Sequence, residues 1–201
     1  MLFGTPTDFA IEVMTEAHLV APSAVWGRMC IHVGDVAFGD FSDTHCALYP
    51  AYRHFESLAC ERLPFWDNSF HGMTLEQIHD LVRHAIYGDD ERSISAIRID
   101  ARRYGRFDFL TNWGEQFDWY ASVIVQRDWN TVTIMHKPSP DGPSHRRLAG
   151  EFLTADCTYA GFISAANQFV KWFDSETKRL TLEEAEPSGE PKPPVTRFLK
   201  S

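Results

Sequence analysis

Apolar residues in the first forty positions recur at every second place. Phe9, Ile11 and Val13 share one parity and Glu12 takes the other, which is the period of a half-buried strand. Pro22-Ser23 breaks the chain. Val25, Met29, Ile31 and Val33 then fall on one face of a second extended segment, with Trp26, Arg28, Cys30 and His32 on the other. Gly34-Asp35 has the composition of a two-residue turn, and Val36–Phe41 returns as the partner strand, weakened or bulged at Gly39. Three strands joined by short turns predict an antiparallel meander.

The period then lengthens. Leu48, Tyr52, Phe55, Leu58 and Ala59 are spaced as on a helix that starts near Tyr49, because Pro50 fits only its first turn. Thr74-Leu75-Glu76-Gln77 is a capping box; the helix behind it carries Leu75, Ile78, Leu81, Val82 and Ala85 and stops before Gly88, a candidate C′ glycine. A shorter helix is expected over Ser93–Tyr104, ended by Gly105. Phe107–Leu110, Tyr120–Gln126 and Thr131–Lys137 read as strands, the last two joined by a turn at Asp128–Asn130. Residues 138–143, with three prolines, form a loop. Arg146–Leu153 is a candidate edge strand and Thr154 a candidate cap for the last helix, whose stripe is Tyr159, Phe162, Ile163, Ala166, Phe169, Val170 and Phe173.

Strands, helices, strands and a helix in that order predict an α+β fold: a mainly antiparallel sheet with helices packed on one face. The alternations at Phe9–Val13, Val25–Val33 and Tyr120–Lys137 are expected in one sheet beneath the Thr154 helix. Residues 1–180 are expected as a single domain, and the Pro- and Glu-rich residues 181–201 as a disordered tail.

Composition narrows the class. A chain of 201 residues, 44% hydrophobic, can bury one core without disulfide or metal staples. Nineteen Lys and Arg against 28 Asp and Glu give a net charge of −9, which disfavours nucleic acid despite the doublets Arg102-Arg103 and Arg146-Arg147 and suits a basic protein partner. No apolar run approaches the length of a membrane span, and the opening residues lack a basic region followed by an apolar stretch, so a cytoplasmic protein is expected. Cys30, Cys46, Cys60 and Cys157 are then reduced thiols.

Reaction chemistry finds little support. Cys30 and His32 share a strand face, His79 and His84 are five apart on different helix faces, and His45-Cys46 are adjacent; none has the spacing of a metal site. G-x-S-x-G, GxxxxGK[ST] and GxGxxG are all missing, and no local signature singles out a Cys/His pair. No catalytic residue, cofactor or metal is therefore expected. Two segments stand out. Phe107–Asp118 is rich in aromatics, carries three carboxylates and no basic residue, and breaks at Asn112-Trp113-Gly114. It reads either as a strand exit that sinks its rings into the core or as a carboxylate-flanked aromatic surface of the kind found at binding hot spots. Tyr87-Gly-Asp-Asp90 admits the same two readings. The candidate partner-binding residues are Asp89, Asp90, Glu91, Glu115 and Asp118, with Trp113 as an anchor.

Phe3-Gly4 through Phe9-Ala-Ile-Glu-Val13, Val25-Trp-Gly-Arg-Met29, Gly39-Asp40-Phe41, Tyr87-Gly-Asp-Asp90, Phe107–Asp118 and the late Gly161-Phe-Ile and Trp172-Phe173-Asp174 together resemble the immunity protein 42 family of bacterial polymorphic toxin systems. The resemblance spans residues 1–180, weakest across 127–150. It implies a small cytoplasmic antidote that binds a cognate toxin tightly, without catalysis or cofactor, and it carries over no binding residues. The acidic surface suits a toxin that is a basic nuclease. The rival readings are a small hydrolase-like enzyme using a Cys/His pair and a small-ligand-binding domain.

Overall fold

The structure, a computed structural model, describes residues 1–39, 41, 46–60, 65–88, 91–111, 113–114, 117, 120–138 and 152–181. The first sheet holds β1 (Leu2–Gly4), β2 (Phe9–Thr15), β3 (Trp26–Val33), β4 (Val36–Phe38) and β5 (Cys46–Ala47), all antiparallel. Its central pair sets Phe9 opposite Val33, Ile11 opposite Ile31 and Val13 opposite Met29, so the alternation read from the sequence becomes one buried face. β4 ends at Phe38, earlier than expected. Gly39 has φ +83, and a Cβ there would lie 2.7 Å from the Met29 carbonyl oxygen and 2.9 Å from the Phe117 ring, so the chain turns out of the sheet where only glycine fits.

Four helices follow the expected pattern: α1 (Tyr49–Cys60), with Pro50 in its first turn, α2 (Leu75–Tyr87), α3 (Ile94–Tyr104) and α4 (Tyr159–Thr181). The capping box of α2 is complete: the Gln77 amide donates to Thr74 Oγ1 at 3.2 Å and the Thr74 amide to Gln77 Oε1 at 2.9 Å. Gly88 follows α2 as expected but in an extended conformation (φ −62, ψ 129) rather than the left-handed one. Gly105 is helical and opens a short 3-10 turn over Gly105–Phe107.

The second sheet is β6 (Asp108–Phe109), β7 (Tyr120–Gln126), β8 (Thr131–Pro138) and β9 (Leu153–Thr158), again antiparallel. Two expectations are corrected here. The alternating segments do not share one sheet. β4 and β5 both pair with the edge of β3 that β2 leaves free, so the β7–β8 hairpin finds no place there and builds its own sheet. Thr154 does not cap a helix. It pairs with Met135 inside β9, and the helix begins at Tyr159. Ala155 and Cys157 face inward in β9 while Thr154, Asp156 and Thr158 face out, a period-2 signal carried by small side chains. Most of the expected Arg146–Leu153 strand and the expected tail lie outside the described residues.

Helix α4 touches α1, β1, β2, β8 and β9, and thereby joins the two sheets. Phe162 on α4 sits 4.7 Å from the Phe9 ring of the first sheet, 6.5 Å from Phe109 of the second and 6.3 Å from Phe55 of α1, and all four rings are fully buried. Each such side chain contributes about 1.5–3 kcal/mol by leaving water. The start of α4 is fixed by Asp8, in the loop between β1 and β2. Its carboxylate accepts from the Thr158 amide and hydroxyl, both at 2.6 Å, and Thr158 Oγ1 accepts from the Gly161 amide at 3.0 Å. A Cβ on Gly161 would lie 2.1 Å from Asp8 Oδ2, so only glycine admits this approach.

Two histidines are held in apolar surroundings. His136 of β8 is 1% exposed beside Ser122, and His54 of α1 packs 4.8 Å from the Trp113 ring. Burial pushes both down to about 4. Between pH 6.5 and 4 the unfolded chain therefore binds more protons than the folded one, and stability falls as pH falls, by up to about 1.4 kcal/mol per pH unit for each histidine. The urea midpoint is expected to drop between pH 7 and pH 5, and to drop less in His54→Gln; a midpoint constant over that range contradicts the assignment.

Candidate partner-binding surface

The end of α2 and the start of the second sheet are tied by one polar network. Tyr87 Oη donates to Asp108 Oδ2 at 2.6 Å. Arg83 Nη1 donates to Asp108 Oδ1 at 2.9 Å and to Thr111 Oγ1 at 2.8 Å, with its guanidinium 4.1 Å from the centre of the Tyr87 ring. Burial pushes the Tyr87 phenol up to about 12, and the hydrogen bond to Asp108 adds to the shift. Burial also raises Asp108, against the pull of Tyr87 and Arg83. Arg92 extends the tie toward α3, donating to Asp100 Oδ2 at 2.7 Å and to the His84 carbonyl at 2.9 Å. These bonds tie the end of α2 to β6 and, through Arg92, to α3.

Of the acidic candidates, Glu91 is exposed; Asp89, Asp90, Glu115 and Asp118 lie outside the described residues. Trp113 takes the core side of its two readings. It is 2% exposed, and its ring packs 4.9 Å from both Phe55 and Phe109. Leu110, fully buried at φ +67, and buried Phe117 fasten the same stretch from within. In this structure the Trp113 ring is part of the core.

Two surface features carried no signal in the sequence reading. A groove of about 400 Å³ lies between α1 and α4, lined by Tyr49, Tyr52, Phe173 and Asp174 together with residues 23–25. Tyr52 stacks on Phe173 at 4.3 Å, and its hydroxyl meets Asp174 Oδ1 at 2.8 Å and Glu56 Oε1 at 3.1 Å, the first of which chiefly holds the phenol above its ordinary range. The Tyr52–Asp174 pair is 122 residues apart, beyond what spacing reveals. The second feature is Trp129, 85% exposed on the turn between β7 and β8.

Cys30, Cys46 and Cys157 are buried, and burial pushes the Cys157 thiol up to about 12, so it stays protonated near neutral pH. Among the described residues no group of three or more His, Cys, Asp and Glu side chains is placed to hold a metal ion. Among the described residues no helix is long and apolar enough to cross a membrane.

The α+β fold matches a solved structure. The crystal structure of CdiI from Burkholderia dolosa AUO158 superposes with a TM-score of 0.58 at 14% identity, covering 86% of this chain and 99% of that one. The immunity protein 42 family model matches residues 1–171, and the chain belongs to that family. It is an immunity protein against a bacterial toxin. The match ends one residue short of Trp172-Phe173-Asp174. No curated protein matches the sequence.

The Arg83–Tyr87–Asp108 network has a measurable weight. Tyr87→Phe is expected to cost about 1 kcal/mol and Asp108→Ala about 2–3 kcal/mol, since the second leaves the half-buried Arg83 charge without its carboxylate. Urea unfolding of the two variants checks both values.

Proposed function

We propose that the chain neutralises its cognate toxin by direct binding in the cytoplasm, without catalysis or cofactor, and that residues 1–180 act as one domain in doing so while residues 181–201 take no part. The family match carries this reading. The raised Cys157 thiol speaks against that residue as a hydrolytic nucleophile, because a nucleophilic cysteine has to be a thiolate near neutral pH.

The surface that meets the toxin is formed by Asp89, Asp90, Glu91, Glu115 and Asp118. Two observations favour it: the net charge of −9, and the Arg83–Tyr87–Asp108 network, which ties the end of α2, two residues before Asp89 in the chain, to β6, which precedes Glu115 and Asp118. The partner is a basic nuclease domain, whose own substrate is a polyanion and whose binding face is therefore cationic. Carboxylates facing that patch speed encounter and occlude it.

Co-expression with the toxin domain encoded by the neighbouring gene tests the function itself: cells carrying both survive, and cells with the toxin alone do not. Single Ala changes among the five carboxylates are expected to cost about 1 kcal/mol of affinity or less. Reversing Asp89, Glu91 and Glu115 to Lys together is expected to slow association at least tenfold and to flatten its salt dependence. Association rates at two salt concentrations decide it; unchanged rate and slope place the partner surface elsewhere. Changing Cys30, Cys46, Cys60 and Cys157 to Ala or Ser is expected to leave protection intact, within the packing cost of small buried side chains. Loss of protection with an unchanged melting temperature contradicts that.

A further inference from the structure

We propose that Trp129 is the anchor of the toxin interface, entering an apolar pocket rimmed by Lys and Arg on the cognate toxin. The inference rests on the reading that the chain binds a toxin directly, and adds the residue that holds the complex together once formed.

Trp129 is the most exposed of the large hydrophobic residues described, at 85%. Tryptophan is strongly buried on average, so one standing in water at a hairpin tip gives the fold nothing. The turn beneath it is rigid. Asp128 Oδ1 accepts from the Asn130 amide at 2.8 Å and the Thr131 amide at 2.7 Å, and the Arg127 amide reaches the Thr131 carbonyl at 3.0 Å. The Tyr159 amide donates to the Asn130 carbonyl at 2.6 Å, which fastens the turn to the first residue of α4. A large ring on a fixed turn, with only two side-chain torsions to restrict, loses little entropy on binding and brings some 150–250 Å² of contact.

The surroundings specify the partner's chemistry. Asp128 stands beside the ring, and the two amides hold its carboxyl below the usual range, so it is charged. Next to the turn, Asp8 and Asp156 line a cleft of about 310 Å³ with Asn130, Thr131 and Thr158. Arg127 is the cation at hand, 3.5 Å from Asp156. Three carboxylates at or next to the turn against one guanidinium leave its neighbourhood net acidic, which fits a basic protein surface with an apolar centre. This is the composition that Phe107–Asp118 displays in sequence, but there the tryptophan is buried, whereas at Trp129 it is free.

In the chain, Glu115 and Asp118 precede β7, which begins at Tyr120, and the Trp129 turn follows it after Gln126. Seven strand residues span about 23 Å. An interface of standard size, about 800 Å² on each partner, is wide enough to include both. Their roles then differ: the loop carboxylates act on the rate of encounter, Trp129 on the lifetime of the complex.

The test measures association and dissociation of wild type, Trp129→Ala and Trp129→Phe against the toxin domain encoded by the neighbouring gene, with melting temperatures alongside. Trp129→Ala is expected to dissociate at least tenfold faster, Trp129→Phe to fall between, and association rates and melting temperatures to match wild type. The emission of wild type minus Trp129→Phe is expected to shift to the blue on adding the toxin domain. If wild type binds and Trp129→Ala dissociates at the same rate, the anchor assignment is overturned and toxin binding stands. Should wild type not bind at all, both readings fall. A change in self-association of Trp129→Ala by sedimentation, with toxin dissociation unaltered, overturns the assignment in favour of a second copy of this chain as the occupant.

Discussion

The fold depends on the contact of Phe162 and Phe55 with both sheets. Among the described residues the sheets share no strand pairing. Rings join them: Phe162 against Phe9, Phe109 and Phe55, and Phe55 against Phe169 and Trp113. The edge-on contact of Phe162 with Phe9 at 4.7 Å and its tilted contact with Phe109 at 6.5 Å are directional as well as apolar, so they orient the sheets in addition to burying them. α4 is the common member, and its small residues Ala165 and Ala166, both fully buried, let it approach closely. A protein that must present a fixed surface to a partner gains from such a frame, because interface loops rooted in close-packed rings have few alternatives.

Much of this was legible. The stretches at Phe9–Val13 and Val25–Val33 became β2 and β3 because each carries large residues on one parity, while Tyr120–Lys137 became β7 and β8 as apolar runs buried on both faces. The Thr74–Gln77 box became the observed cap because both halves of that motif are local. What escaped was non-local or carried by small side chains. β9 alternates Ala155 and Cys157, whose weak hydropathy let a helix cap at Thr154 look equally good. The division into two sheets depends on β5, two residues long, filling the edge of β3. Trp113 and Trp129 show the limit at the candidate site. Both stand beside turn residues and carboxylates in sequence; one is 2% exposed and the other 85%, and only tertiary packing distinguishes them.

The core and the surface divide their work by charge. Ionised groups lie outside the ring frame or in tied pairs such as Arg83–Asp108 and Arg92–Asp100, and the residual negative charge is left to the periphery. Screening weakens such charges within about 10 Å at ordinary ionic strength, so they act on a partner already near. A ring that leaves water on contact is insensitive to salt. A surface that uses both keeps fast capture and slow release independently adjustable.

The Asp8 joint sets a clock. Its carboxylate fastens the start of α4 across 150 residues, and β1 and β2 rest on that helix. A ribosome working at about 5–20 residues per second needs roughly 8–30 seconds to pass from one side of the joint to the other. Until then the first sheet has been made but lacks the helix that covers it, and the nascent chain offers no finished surface. A cell that begins to synthesise the antidote when the poison arrives is therefore late by that interval, and safety lies in a stock of finished molecules held in advance.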